Sequence, residues 1–287
     1  MTRGKSLHIG VNEVDPAHYE GWKGRLLACE ADAKDMLGLA GAAGFEGRTL
    51  LTAEATRDAV LAAVRQAAKA LVAGDIFFLS YSGHGGQISD VDGDETDRKD
   101  ETWCLYDGEV LDDELWEAWH GFAEGVRVLV LSDSCHSGTV VRAPLSAREL
   151  AELRSHLAAT AGSDGELRYR FMPEEVAQRT HRAHRAFYRD LTRSLPEKPS
   201  EVLASVKLIS GCQDDQFSLD GTSNGLFTGT LKQVWQDGGF EGSYLDLYRE
   251  IVERMPASQT PNYLTVGRQD RTFDAQRPFS IDPTPNA

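Results

Sequence analysis

The sequence predicts an α/β fold with a mostly parallel sheet of six main strands. Two observations carry this reading. Six short apolar runs recur along the 287 residues and alternate with longer amphipathic or alanine-rich stretches. The third run is apolar on both faces for most of its length, as expected of a strand covered by helices on each side.

The elements follow in order. Leu7 to Val11 reads as the first strand, and Leu26 to Ala40 as a helix closed by Gly41 and Gly44. Arg48 to Thr52 is the second strand, and an alanine-rich helix spans about Thr56 to Val72. Gly74-Asp75 turns the chain into the third strand, Ile76 to Tyr81. Val126 to Leu131, Val206 to Ser210 and Tyr263 to Val266 are the fourth to sixth strands, with helices expected over 112–121, 225–236 and 243–255.

Residues 143–200 break the rhythm. They show no strand pattern, carry ten Arg or Lys residues and contain the loop signal Ala161-Gly162-Ser163-Asp164-Gly165. They read as a partly helical insertion between 1–142 and 201–287, the two halves of one sheet.

Composition narrows the function. Hydrophobic residues make up 41% and charged residues 26%, a globular balance, and no apolar run approaches the roughly 18 residues of a membrane span. A formal net charge of -15 argues against nucleic acid as partner. The short apolar patch after Lys5 does not read as a signal peptide. Cys29, Cys104, Cys135 and Cys212 form no C-x-x-C pair, so reduced thiols and a cytoplasmic location are expected.

Two strands end in polar tips. The third runs into Ser82-Gly83-His84-Gly85-Gly86 and the fourth into Asp133-Ser134-Cys135-His136-Ser137-Gly138. If these strands are parallel neighbours, His84 and Cys135 leave the sheet at the same edge, where α/β ligand sites lie. A thiol beside an imidazole is a nucleophile–base pair for acyl transfer. The backbone N–H groups of Gly85 and Cys135 suit an oxyanion. His136 adjoins Cys135 but points away from it in an extended chain, so His84 is the expected base. Taken singly, Cys135 reads as a small buried apolar residue and His84 as filler; the pairing carries the argument.

Ser-Gly-His-Gly followed by Asp-Ser-Cys-His-Ser-Gly resembles the caspase-like cysteine peptidases, in particular metacaspases and bacterial caspase homologues. Supporting segments are Cys29-Glu30-Ala31-Asp32-Ala33, with Ala31 where the family has Asn, then Asp100-Glu101-Thr102 to Tyr106, Asp112-Asp113-Glu114, Ser210 to Gln216, and Gly225-Leu226-Phe227-Thr228. The resemblance implies a caspase-like α/β/α sandwich, large- and small-subunit regions on either side of 143–200, and peptide-bond hydrolysis. It also implies a substrate pocket of Cys29, Asp32, Ser82 and Asp133. Two carboxylates there favour Arg or Lys before the cut. Asp32 on a solvated helix face is the plainer alternative.

Asp90 to Glu101 hold seven acids against Arg98 and Lys99. An EF-hand is excluded because Glu95 stands where that loop needs glycine. The resemblance maps calcium ligands to Asp100, Asp112 and Asp113; otherwise this is a solvated acidic loop with Asp112 capping the next helix. The expectation is therefore a monomeric cysteine endopeptidase cutting after Arg or Lys, kept as a zymogen until the insertion is cut by itself or by an upstream protease. Arg168, Arg170 and Arg179 are the prominent candidate bonds. A catalytically silent scaffold and a small-amide hydrolase are the rival readings.

Overall fold

The structure is a computed structural model and describes residues 2–88, 100–135, 146–195, 201–213 and 216–283. In chain order the elements are β1 (Gly4–Gly10), α1 (Cys29–Ala42), β2 (Glu46–Leu51), α2 (Arg57–Ala70), β3 (Ile76–Ser82), β4 (Gly85–Ile88), β5 (Asp100–Leu105), β6 (Gly108–Leu111), α3 (Asp112–His120) and β7 (Arg127–Asp133). Then come α4 (Ala147–Thr160), β8 (Arg168–Tyr169), α5 (Glu174–Ala183), α6 (Arg185–Ser194), β9 (Ser205–Ser210), β10 (Leu219–Asp220), α7 (Leu226–Trp235), α8 (Tyr244–Arg254), β11 (Asn262–Gly267) and α9 (Arg271–Ala275).

The six predicted strands form one sheet in the order β11-β9-β7-β3-β1-β2. All pairings are parallel except β9 with the edge strand β11. Alternate residues of each central strand enter opposite apolar layers, because side chains alternate across a strand. Phe77 and Leu79 of β3 pack with Val60 and Val64 of α2 on one face. Ile76 and Phe78 pack with Met36 and Ala40 of α1, and with α7 and α8, on the other. Helix α2 starts where Thr56 accepts the Ala59 N–H, an N-cap.

Two features depart from the sequence reading. A second, antiparallel sheet β4-β5-β6 follows directly on the His84 tip. Its strands are short and partly glycine-rich, so they lack a readable period. The insertion was expected to lack strands, yet between α4 and α5 it contributes β8, which pairs antiparallel with β10. A two-residue strand leaves no pattern in sequence.

The chain leaves β1 toward β2 on one side and toward β3 on the other. The reversal lies between β1 and β3, and open α/β sheets bind ligands at the carboxyl ends of their strands beside such a point, where β3 ends next to β7.

Candidate active site

The pairing of β3 with β7 runs to Ser82 opposite Asp133, so the next residues of the two tips, Gly83-His84 and Ser134-Cys135, emerge side by side. Gly85 packs so closely that a Cβ there would lie 1.8 Å from the Cys135 carbonyl oxygen. Any side chain at 85 would push the tips apart.

His84 is 4% exposed. Its Nε2 lies 2.8 Å from the Gly24 carbonyl oxygen, and its ring rests on Trp22, centroids 4.8 Å apart. Burial lowers its pKa to about 4, although the Gly24 carbonyl and the Phe171 backbone pull the other way. Cys135 is fully buried. Its Sγ accepts the Ser218 N–H and lies 3.5 Å from the Ser218 carbonyl oxygen.

Beside this pair, three carboxylates converge on one guanidinium. Arg170 Nη2 lies 2.7 Å from Asp32 and 2.8 Å from Asp220, and Nη1 lies 3.0 Å from Asp133. Nη1 also donates to Ser82 Oγ at 2.8 Å and to the Asp133 carbonyl at 3.1 Å. All four charged side chains are essentially excluded from solvent. Such a cluster is tolerable only if every carboxylate oxygen finds further donors. Asp32 accepts from Ser82 Oγ, Asn224 Nδ2 and the Gly225 N–H. Asp133 accepts from Ser218 Oγ and from both the N–H and Oγ1 of Thr228. Asp220 accepts from the Leu27 and Ala28 N–H groups. Gly225 is required for close approach: a Cβ would lie 2.4 Å from both Arg170 Nη1 and an Asp133 oxygen.

Burial raises the Asp32 pKa, aided by the neighbouring Asp133, while Arg170 and Ser82 oppose it. Burial works against the Arg170 charge, but Asp133, Asp32 and Asp220 outweigh it and hold that pKa well above its ordinary value. Burial likewise pushes the Cys29 thiol up, beside Arg170 and Ser82.

The main chain around Arg170 is equally constrained. Its carbonyl oxygen accepts from both the Gly85 N–H and the Cys135 N–H, each at 3.1 Å. Its own N–H donates to the Ser218 carbonyl at 2.9 Å, and the Met172 N–H donates to the Gly85 carbonyl at 2.8 Å. Tyr169 opposite Leu219 and Arg168 opposite Asp220 continue the pairing as β8 on β10. An arginine side chain thus fills an acidic pocket while its carbonyl meets two N–H donors next to a thiol. That is the geometry an extended peptide adopts when it adds a strand to a sheet edge.

Of the residues singled out from sequence, His84, Gly85, Cys135, Asp32, Ser82, Asp133 and Cys29 are brought together here. Asp32 lies in the pocket and not on a solvated helix face. Asp220, Ser218 and Asn224 escaped the sequence reading, since no motif of short spacing marks them. Arg170 was marked as a processing bond, but nothing in sequence separates it from nine other basic residues as the pocket's occupant. Asp112 and Asp113 lie exposed at the start of α3. Asp112 is the first helical residue and not the cap; Leu111 holds the cap position, its N–H donating to Glu114 Oε2 at 3.1 Å. Among the described residues no three His, Cys, Asp or Glu side chains cluster as metal ligands. The Asp100 side chain, Asp90 to Asp97 and His136 lie outside the described residues.

Known proteins share this architecture. The family model described as the caspase domain matches residues 3–274. The metacaspase-1 of Coccidioides immitis is 31% identical over 290 residues, covering 90% of this chain and 60% of that protein. That of Schizosaccharomyces pombe is 30% identical over 216 residues, covering 68% and 50%. The chain therefore spans about half to three-fifths of those relatives. A crystal structure of a Geobacter sulfurreducens protein superposes with a TM-score of 0.85 at 51% identity, covering 97% of this chain and 99% of that one. Caspase-1 from Spodoptera frugiperda superposes with a TM-score of 0.52 at 10% identity, covering 93% and 86%, a likeness of fold alone. With its fold, and with 272 consecutive residues under one family description, the chain belongs to the caspase-domain family of cysteine peptidases and counts metacaspases among its relatives.

Proposed function

We propose that the protein is a cysteine endopeptidase that cuts after Arg or Lys, with Cys135 as nucleophile and His84 as proton carrier. One observation carries this: Arg170 of the same chain sits with its side chain among Asp32, Asp133 and Asp220 and its carbonyl on the Gly85 and Cys135 N–H groups. His84 takes the thiol proton and Cys135 Sγ attacks the arginyl carbonyl carbon. The two N–H groups stabilise the resulting oxyanion. The tetrahedral intermediate collapses, His84 gives its proton to the departing nitrogen, and an arginyl thioester remains on Cys135. Water, deprotonated by His84, then releases the acid and restores the thiol. Lys fits the same acidic pocket as a point charge, with fewer contacts than the planar guanidinium.

The same contact implies control by processing of 143–200. While Arg170 fills the pocket, no other arginine can enter, so the intact chain is a zymogen. The Arg170–Phe171 bond is the one poised for the enzyme's own attack, and a cut elsewhere in 143–200 by an upstream protease would also free the site. Protein or peptide substrates are the expected partners of a monomeric enzyme.

Calcium is proposed as an activator, held by the hard carboxylate oxygens of Asp100, Asp112 and Asp113. The pairing of Thr102 with Leu111 supports this, because the ladder carries the Asp100 backbone toward the start of α3, where the other two stand. Bound there, the ion would tie the β4-β5-β6 sheet next to the His84 tip.

The test is a peptide library digested by wild type and Cys135→Ala, with mass spectrometry of the protein itself. Cleavage after Arg and Lys, and a new N-terminus at Phe171, both dependent on Cys135, are expected. Cleavage of small amides only, or no turnover, would replace this reading with one of its rivals.

A further inference from the structure

The substrate class of this site extends beyond the basic residue. We propose that the enzyme selects an arginine flanked by aromatic residues on both sides, and that the ring of Phe217 reads both flanks. This rests on the proposed peptidase activity.

Side chains of an extended segment alternate in direction. Arg170 and Met172 point into the protein, where both are fully buried. Tyr169 and Phe171 therefore point the other way and are only half-buried. Both meet the same ring. Tyr169 meets Phe217 edge-on with centroids 5.2 Å apart, and Phe171 meets it tilted, also at 5.2 Å. Tyr169 and Phe171 approach each other at 6.2 Å. These are the separations at which aromatic pairs attract.

Phe217 is placed for this by its neighbour. The Ser218 carbonyl accepts the Arg170 N–H, which fixes the arginine in register. One residue earlier, the Phe217 ring lies across Tyr169 and Phe171, the two residues that flank Arg170. Among the described residues, Tyr169 and Phe171 are its aromatic partners, and it belongs to neither large apolar layer of the sheet. When the cut segment leaves, those ring faces become available to a substrate. The chain's own Tyr-Arg-Phe sequence is then a template for what binds in trans. An aromatic residue before the arginine contributes to formation of the thioester and to its retention. An aromatic residue after it aligns the leaving amine for protonation by His84.

The experiment compares two peptides on the self-processed enzyme, one containing Ala-Tyr-Arg-Phe-Ala and one containing Ala-Ala-Arg-Ala-Ala. The readout is the ratio of their kcat/KM values, which a general loss of activity does not move. Two aromatic contacts correspond to a wild-type ratio of about tenfold or more. Phe217→Ala should bring the ratio close to one, and Phe217→Tyr should restore it. Peptides carrying only one of the two aromatic residues should give intermediate ratios. A wild-type ratio near one overturns the proposal, as does a Phe217→Ala enzyme that keeps the wild-type ratio. Failure of wild type to cut either peptide refutes the arginine specificity itself and this proposal with it.

Discussion

The Cys135 amide and the Arg170 carbonyl oxygen are 3.1 Å apart, so the chain presents an arginyl carbonyl from its own insertion to its own thiol. The two residues lie 35 positions apart, with helix α4 between them. Only closure of the tertiary fold brings them together.

Replacing that arginine should separate processing from catalysis. Arg170→Gln is expected to stop the cut before Phe171, leaving one band on a denaturing gel. Arg168 should not substitute, because its guanidinium is engaged with Asp164 and Glu166 outside the pocket. The variant should also melt earlier. Three buried carboxylates lose their cation, a class of change costing about 3–5 kcal/mol.

Cys135→Ala and His84→Ala should each lower peptide cleavage by about a thousandfold or more while leaving the far-ultraviolet circular dichroism unchanged. His136→Ala should stay close to wild type. Steady-state kinetics on one arginyl peptide decides among the three, and loss of activity in His136→Ala alone would reverse the choice of base.

Asp220 makes a sharper test of the pocket, because motif comparison does not point to it. Asp220→Asn should raise KM for arginyl peptides and cut kcat/KM by roughly ten- to a hundredfold, with Asp32→Asn similar. Asp133→Asn should be worse, since Asp133 also anchors Ser218 and Thr228. Equal kinetics for Asp220→Asn and wild type would remove that residue from the pocket.

Calcium titration of wild type against the Asp112→Ala, Asp113→Ala double variant checks the acidic segment. Stimulation is expected in the first and not in the second. Full wild-type activity in excess EGTA would make these carboxylates solvated surface groups.

Acid should unfold the protein early. Burial lowers the pKa of His8 to about 3 and of His84 to about 4, against 6.5 when unfolded. Below pH 6.5 the unfolded chain takes up protons that these two sites refuse, so stability is complete above that value and falls as pH drops. At pH 5 each contributes a loss of about 2 kcal/mol. Asp32 acts in the opposite sense: its raised pKa means that its ionised form costs stability above that pKa, and acidification relieves the cost. Urea unfolding of wild type and His8→Gln at pH 7 and pH 5 should show the wild type losing more. Equal losses would mean that His8 is protonated in the fold.

Local signals in the sequence determined the central sheet and the positions of the proposed dyad. The central strands β3 and β7 are runs of apolar residues long enough to read without their neighbours. His84 and Cys135 follow these two strands, so strand pattern plus residue type pointed to one sheet edge, where the structure brings the two residues together. Asp32 and Asp133 were pointed to by the resemblance to the caspase-like family, and burial in the fold decided between pocket and solvated helix face for Asp32. Tertiary structure alone decided the rest. The β8–β10 pair owes its form to a partner distant in sequence, and the strands of β4-β5-β6 are too short to show a period. Asp220 enters the pocket because β10 lies against the insertion, and Arg170 fills it because four elements bring donors and acceptors to one buried point. A charge removed from water is stable only where its partners surround it in three dimensions. Ten basic residues in one segment look alike in sequence for that reason, and only the folded chain distinguishes the one that its acids enclose.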